Sequence, residues 1–226
     1  MFRLGLAAAA EIAVLVRTAW FHPDRRGSSS ESSAFRGIRC DPDPEVVRDA
    51  DVRRRIEARG LPWMVEDHAI GVEMVRIPEG EFTMGSPRNE AGRDDDETQH
   101  HRVIRKAFYL GRTEVTQGLW QRITDNDPSL HGNRPVENAS WNDCQEFLKR
   151  AGSSLRLPRE AEWEYACRAG AEARFSFGED NAALGGHGWY WANSGGETHE
   201  VGQKKPNAFG PCDMHGNVPE RCLDRS

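Results

Sequence analysis

Apolar and polar positions divide the chain into an apolar start, a polar stretch and a longer mixed region. Leu4 to Val16 reads LGLAAAAEIAVLV, flanked by Arg3 and Arg17. Its length is that of a signal-peptide core, but Glu11 sits in its middle and no small-x-small cleavage site follows. It is too short and too charged to cross a bilayer as a helix. Residues 21 to 42, with the run GSSSESS at 27–33, read as a flexible polar linker. Asp43-Pro44-Glu45 then sets a cap before a proline, which predicts a short charged helix ended by Gly60. Its Arg53-Arg54-Arg55 run sits among Asp49, Asp51 and Glu57 and reads as a solvated face.

From Leu61 the texture changes. Strands are expected at Val72–Ile77 and Glu81–Met84, joined by the turn Pro78-Glu79-Gly80. Residues 85 to 101 form a polar loop, and Val103 to Leu110 predicts a third strand. Thr116 is placed to cap a helix containing Leu119, Trp120 and Ile123. Ser140 opens a second helix, running to Ala151, with a capping-box pattern. After a short strand at Leu155–Leu157, Pro158 starts a third helix closed by Gly170. On it Trp163 and Cys167 share a face, Glu164 and Arg168 form an i,i+4 pair, and Glu160, Glu162 and Glu164 read as a charged face. Beyond Gly170 the chain is mostly loop. Strands, then helices, then long loops give an α+β class rather than alternating βα units. The organisation is an apolar leader (1–20), a polar linker with a short charged helix (21–60), and one domain (61–226).

Composition narrows the function. Of 226 residues 37% are hydrophobic, 22 are glycine, 12 proline and seven tryptophan, which suits a loop-rich globular fold with a few large rings in its core. The net charge is -6 with no basic stripe, which argues against nucleic-acid binding, and no segment predicts a membrane span. Five cysteines are an odd number and none forms C-x-x-C, so the redox compartment stays open.

Five phrases together resemble one family. EMVRIPEGEFTMGS (73–86), AFYLGRTEVTQGLWQ (107–121), RPVENASWNDCQEFLKR (134–150), LRLPREAEWEYACRAG (155–170) and HEVGQKKPNAFGPCDMHGNV (199–218) resemble, in that order, the formylglycine-generating enzyme or sulfatase-modifying factor family. The resemblance covers residues 61 to 226. It implies a loop-rich fold of the C-type-lectin-like kind, and a copper- and oxygen-dependent oxidation of a sulfatase cysteine to formylglycine. The family's reactive cysteine pair follows a Gly-Gly-Ser segment that residues 1–226 do not contain; the comparable Gly195-Gly196 is followed by Glu197. No catalytic residue is therefore carried over, and the expectation is a C-terminally truncated member without the oxidase activity. The rival reading is a non-catalytic lectin-like binding module, since fold does not fix function. The expected partner is a sulfatase-type polypeptide or another protein. Near the end, Pro219 and Arg221 stand where the family carries tryptophans.

The resemblance also implies a calcium loop at Asp213, Gly216, Val218 and Glu220, two positions acting through carboxylates and two through carbonyls. Hard oxygen donors of this kind suit calcium. Spacing alone reads as a solvated turn. Asn193 matches a ligand of the family's other calcium site. Cys167 matches a family cysteine whose partner lies in the absent segment. His100-His101 with Asp94, Asp95 and Asp96 lacks metal-ligand spacing and reads as structural. Cys144 and Cys167, on apolar helix faces, read as buried inert thiols. Trp120, Trp141, Trp163, Trp189 and Trp191 read as core, with a surface role open for Trp189 or Trp191.

Overall fold

The computed structural model describes residues 15–17, 19–20, 35–90, 92–125, 132–152 and 155–224. Nine strands are named in chain order: β1 (Leu15–Val16), β2 (Ala19–Trp20), β3 (Phe35–Arg39), β4 (Met64–Asp67), β5 (Glu73–Ile77), β6 (Gly80–Met84), β7 (His100–Ile104), β8 (Phe108–Gly111) and β9 (Glu220–Arg221). Four α-helices accompany them: α1 (Ala50–Glu57), α2 (Gln117–Thr124), α3 (Trp141–Arg150) and α4 (Glu160–Arg168). A 3-10 helix spans Asn181–Gly186.

The main sheet has the order β2-β8-β5-β4-β3 and is antiparallel throughout; β6 and β7 form a separate pair, and β1 runs parallel to β9. Successive side chains of a strand point to opposite faces, and here that alternation separates two cores. Met74 and Tyr109 join one cluster with Trp120, Phe147, Leu148 and Leu157. Val75, Ile77, Phe108 and Leu110 join the other with Trp63, Trp163, Tyr165 and Phe209. Helices α2 and α3 thus cover one face and α4 the other. The architecture is α+β and loop-rich, and its sheets do not close.

Local chemistry sets the helix ends. The Thr116 hydroxyl accepts from Leu119 N–H at 3.2 Å. Ser140 and Asp143 form a full capping box, with Asp143 N–H donating to Ser140 Oγ and Ser140 N–H to Asp143 Oδ2. On α4, Ala169 ends the helix in the left-handed region.

Several expectations change. Phe35–Arg39, inside the stretch that reads as linker, is an edge strand paired with β4, with most of its side chains exposed. Backbone pairing holds it, so no alternation of apolar residues marks it. The charged helix starts later than Asp43 predicts. Asp43 instead caps a tight turn, taking Glu45 N–H on its side chain and Val46 and Val47 N–H on its carbonyl, while Asp49 caps α1. The single strand expected at Val103–Leu110 is two, in different sheets, interrupted at residues 105–107. Glu162 and Glu164 are not a solvated face. Both are buried, Glu162 against Arg156 and Glu164 against Arg168. Residues 4–14 of the apolar leader lie outside the described residues. No helix among the described residues is long and apolar enough to cross a membrane.

Candidate functional site

Asp213, Gly216 and Val218 lie on the loop at residues 212–219, which leads into β9, and Glu220 is the first residue of β9. Close backbone approach shapes the loop. A β-carbon at Gly188 would come 2.7 Å from the His215 carbonyl oxygen, so residues 186–190 run directly against the loop. Asn217 pins it with three bonds: its N–H donates to Trp189 O at 2.7 Å, its Oδ1 accepts from His199 N–H and its Nδ2 donates to His199 O. Asp213 and Asn217 adopt left-handed backbone, with φ of 59° and 69°.

The side chains on this loop are committed. Glu220 receives a guanidinium fork from Arg17, Nε at 2.8 Å from Oε2 and the terminal Nη2 at 2.9 Å from Oε1. Trp163 Nε1 from α4 donates to Oε2 at 2.8 Å. Both side chains of the ion pair are sealed from solvent, at 0% and 2% exposure. Arg17 also donates to two backbone oxygens, Nη1 to Gly111 O at 2.7 Å and Nη2 to Cys212 O at 2.9 Å. Burial disfavours its charge, but Glu220, Glu114 and Asp213 outweigh that penalty and push its pKa up.

Two further carboxyls stand beside it. Asp213 is buried, with Oδ2 accepting Gly202 N–H at 2.6 Å. Glu114, just after β8, is buried with its carboxyl against that of Asp213. Burial, then the charge of Asp213, drives Glu114 well above the usual carboxylate range, and burial raises Asp213 too. Three acids therefore surround one arginine.

As arranged, these residues do not present an open calcium cage. The carboxylate of Glu220 is taken by Arg17 and Trp163, and the Gly216 carbonyl accepts Val218 N–H at 2.9 Å. Asn193 is also committed, with Oδ1 accepting Tyr190 N–H and Nδ2 donating to Gly188 O. Arg17 and Glu114, which complete this cluster, carried no signal in the sequence. Arg17 sits 203 residues from its partner, and Glu114 looks like one more polar residue of a turn.

The thiols do not form a centre either. Among the described residues all five cysteines are free: Cys40 exposed, Cys144, Cys167 and Cys212 buried, Cys222 half-buried. Burial pushes Cys144 up to about 12 and Cys212 up to about 11, and raises Cys167 and Cys222 still further. Cys167 Sγ donates to Met214 O at 3.4 Å and lies 3.9 Å from His215 Nδ1. That histidine is kept uncharged by burial, its pKa lowered to about 4, and its Nε2 accepts Ser176 N–H. A copper site needs soft thiolates, and these thiols do not fit one. Among the described residues no three His, Cys, Asp or Glu side chains group to hold a metal, His100-His101 with Asp94–Asp96 included. His101 instead lies exposed on β7, 3.4 Å from Glu81.

Within the 186–190 segment, Trp189 stacks on His199 at 3.7 Å between ring centres, with Lys204 Nζ 3.6 Å from its ring centre. Trp191 stands 77% exposed. Trp120 and Trp163 are core, as expected.

Residues 65–225 match the model of the sulfatase-modifying factor enzyme 1-like domain. The formylglycine-generating enzyme of Streptomyces coelicolor is 29% identical over 217 residues, 66% of this chain and 68% of that protein. The chaperone protein LppX of Paenibacillus barcinonensis is 28% identical over 174 residues, 52% of this chain; the chain covers 62% of that protein's length. Among solved structures, PvdO from Pseudomonas aeruginosa superposes with a TM-score of 0.59 at 32% identity, over 72% of this chain and 74% of its own. A match across most of the chain, on a fold already α+β and loop-rich, makes this protein a member of the sulfatase-modifying factor enzyme 1-like family.

Proposed function

We propose that this part of the chain is a sulfatase-modifying scaffold that presents loops to a polypeptide partner and holds no cysteine-oxidising centre of its own. The observation that carries the reading is the state of the thiols. Nucleophilic or copper-binding sulfur must be thiolate, and burial holds four of the five cysteines as thiols. The fifth, Cys40, lies outside the family region, after the edge strand β3. The expected partner is a sulfatase-type polypeptide. Relatives bearing both an enzyme's and a chaperone's name are consistent with a scaffold whose use is not fixed by its fold. The test is incubation of the purified chain with copper and a Cys-x-Pro-x-Arg peptide, read by mass for the aldehyde. No aldehyde is expected, and its formation overturns the reading.

A second reading, a lectin-like binding module without a sulfatase partner, is favoured by Trp191. A tryptophan 77% exposed, two positions along the chain from Trp189, which stacks with His199 and Lys204, is the kind of aromatic surface that binding loops use. Trp191→Ala would then abolish binding to saccharide or non-sulfatase protein panels while leaving the melting midpoint unchanged.

A further inference from the structure

We propose that the cavity between residues 132–134 and 199–203 is a metal-free binding site for a neutral saccharide. The inference rests on the lectin-like reading above and names that module's ligand and its seat. The cavity holds about 370 Å³ and is lined by Gly132, Asn133, Arg134, His199, Glu200 and Gln203, a volume within the range of small-ligand sites. Both walls are pinned. On one side Gln117 N–H donates to Arg134 O and Gly118 N–H to Gly132 O, each at 2.9 Å, which ties residues 132–134 to the first turn of α2. On the other, the Asn217 side chain holds the N–H and the carbonyl of His199, and Asp213 Oδ2 takes Gly202 N–H. Val201 N–H donates to Asn133 O at 3.1 Å and joins the two walls. A ligand therefore meets walls already ordered, and binding does not have to supply that ordering.

The lining selects the chemical class. Arg134 only donates, Glu200 only accepts, and the amides of Asn133 and Gln203 do both. A hydroxyl is donor and acceptor at once, so a ring of hydroxyls satisfies such a mixed wall. A phosphate would meet Glu200 with its own sign, and an ammonium would meet Arg134 with its own. With one guanidinium and one carboxylate in the lining, neither an anion nor a cation is favoured. A single carboxylate is also too few hard oxygens for a calcium cage, so the side chains meet the hydroxyls directly. Glu200 accepts Gln203 Nε2 at 3.4 Å, a long contact that a ligand hydroxyl can replace. His199 adds a fixed ring. Trp189 stacks on one of its faces, Lys204 Nζ lies over the far face of Trp189 and donates to Gly185 O, and His199 Nε2 donates to Ser194 O at 2.9 Å. Because a carbonyl only accepts, Nε2 carries the proton and Nδ1 is left as an acceptor. The free face of that imidazole is a platform for the C–H face of a sugar ring.

The test titrates the full chain with maltose, cellobiose, lactose and chitobiose, and with glucuronic acid and glucosamine as charged probes, read by saturation-transfer NMR and calorimetry in chelator. At least one neutral disaccharide is expected to bind, and more tightly than either charged probe. Glu200→Gln and Arg134→Gln each remove a charged partner of a hydroxyl and should weaken that binding about tenfold or more. The ion pair of Arg134 with Glu197 is partly exposed, so its loss should leave the melting midpoint near the parent's. Glu200 and Gln203 are exposed, so Glu200→Gln and Gln203→Ala keep the test open should Arg134→Gln not fold. Neutral binding that these variants leave intact would overturn the cavity as its seat, and its loss in Trp191→Ala would then leave the binding-module reading standing. Preference for a charged probe, or no saccharide bound at all, would overturn the proposal outright. Capture of a non-sulfatase protein by the same chain would still support that reading, so the two failures are distinguishable.

Discussion

Gly216 lies against Trp189 so closely that a β-carbon at position 216 would overlap the Trp189 carbonyl oxygen, the same atom that accepts Asn217 N–H at 2.7 Å. The obstruction is backbone on both sides, so no rotamer relieves it. The loop that carries Asp213 and Glu220 can hold its position only with glycine there.

Gly216→Ala is therefore expected to cost on the order of 3 kcal/mol, the upper range for overpacking, and to lower the melting midpoint by roughly 6–12 °C. Gly186→Ala is the control. A β-carbon there meets nothing within 4 Å, and the substitution should stay within about 0.5 kcal/mol of the parent. Equal midpoints for the two variants would mean that residues 186–190 and 213–217 are not clamped together.

The sequence made the local devices readable and the long-range ones not. Thr116 and Ser140 announce α2 and α3 because a cap acts within three residues of itself, and each caps where the pattern places it. Trp163 and Cys167 face the core as their spacing implies. The strand β3 escapes notice because an edge strand with exposed side chains is held by backbone pairing, which leaves no side-chain period to read. Glu162 and Glu164 look solvated because their cationic partners, Arg156 and Arg168, are themselves ordinary surface residue types, and burial is a property of what packs above them. The candidate loop was legible as a phrase, Asp213 to Glu220. Its counter-ion was not, since an arginine 203 positions away carries no local mark of its destination.

His187 offers a pH-dependence. Burial, reinforced by the charge of Lys205, holds its imidazole below the ordinary histidine value, and its ring stacks on Phe177 at 4.2 Å between centres. The unfolded chain then binds this proton more readily than the folded one. The contribution to stability is complete above the ordinary histidine pKa and is lost as pH falls through the lower folded value. His187 is only half-buried, so the effect is small. His187→Phe keeps the stack and removes the titration. Its midpoint should fall less than the parent's between about pH 7 and about pH 5. Parallel falls in the two proteins would remove His187 from the account.

The thiols can be counted directly. Disulfide-exchange reagents attack through thiolate, and access matters as much as charge. Cys40 is exposed, three cysteines are buried and Cys222 is half-buried with its thiol pushed up by burial first and then by the charges of Glu220, Glu160 and Asp224. At about pH 8 the native chain should therefore titrate one fast thiol, and the unfolded chain all five. Cys40→Ser should bring the native count to zero without moving the melting midpoint, because that side chain is exposed. A second fast thiol in the native protein would place a reactive sulfur within the family region. It would remove the ground on which residues 61–226 are read as scaffold rather than oxidase, so this inexpensive count bears on function as directly as the aldehyde assay does.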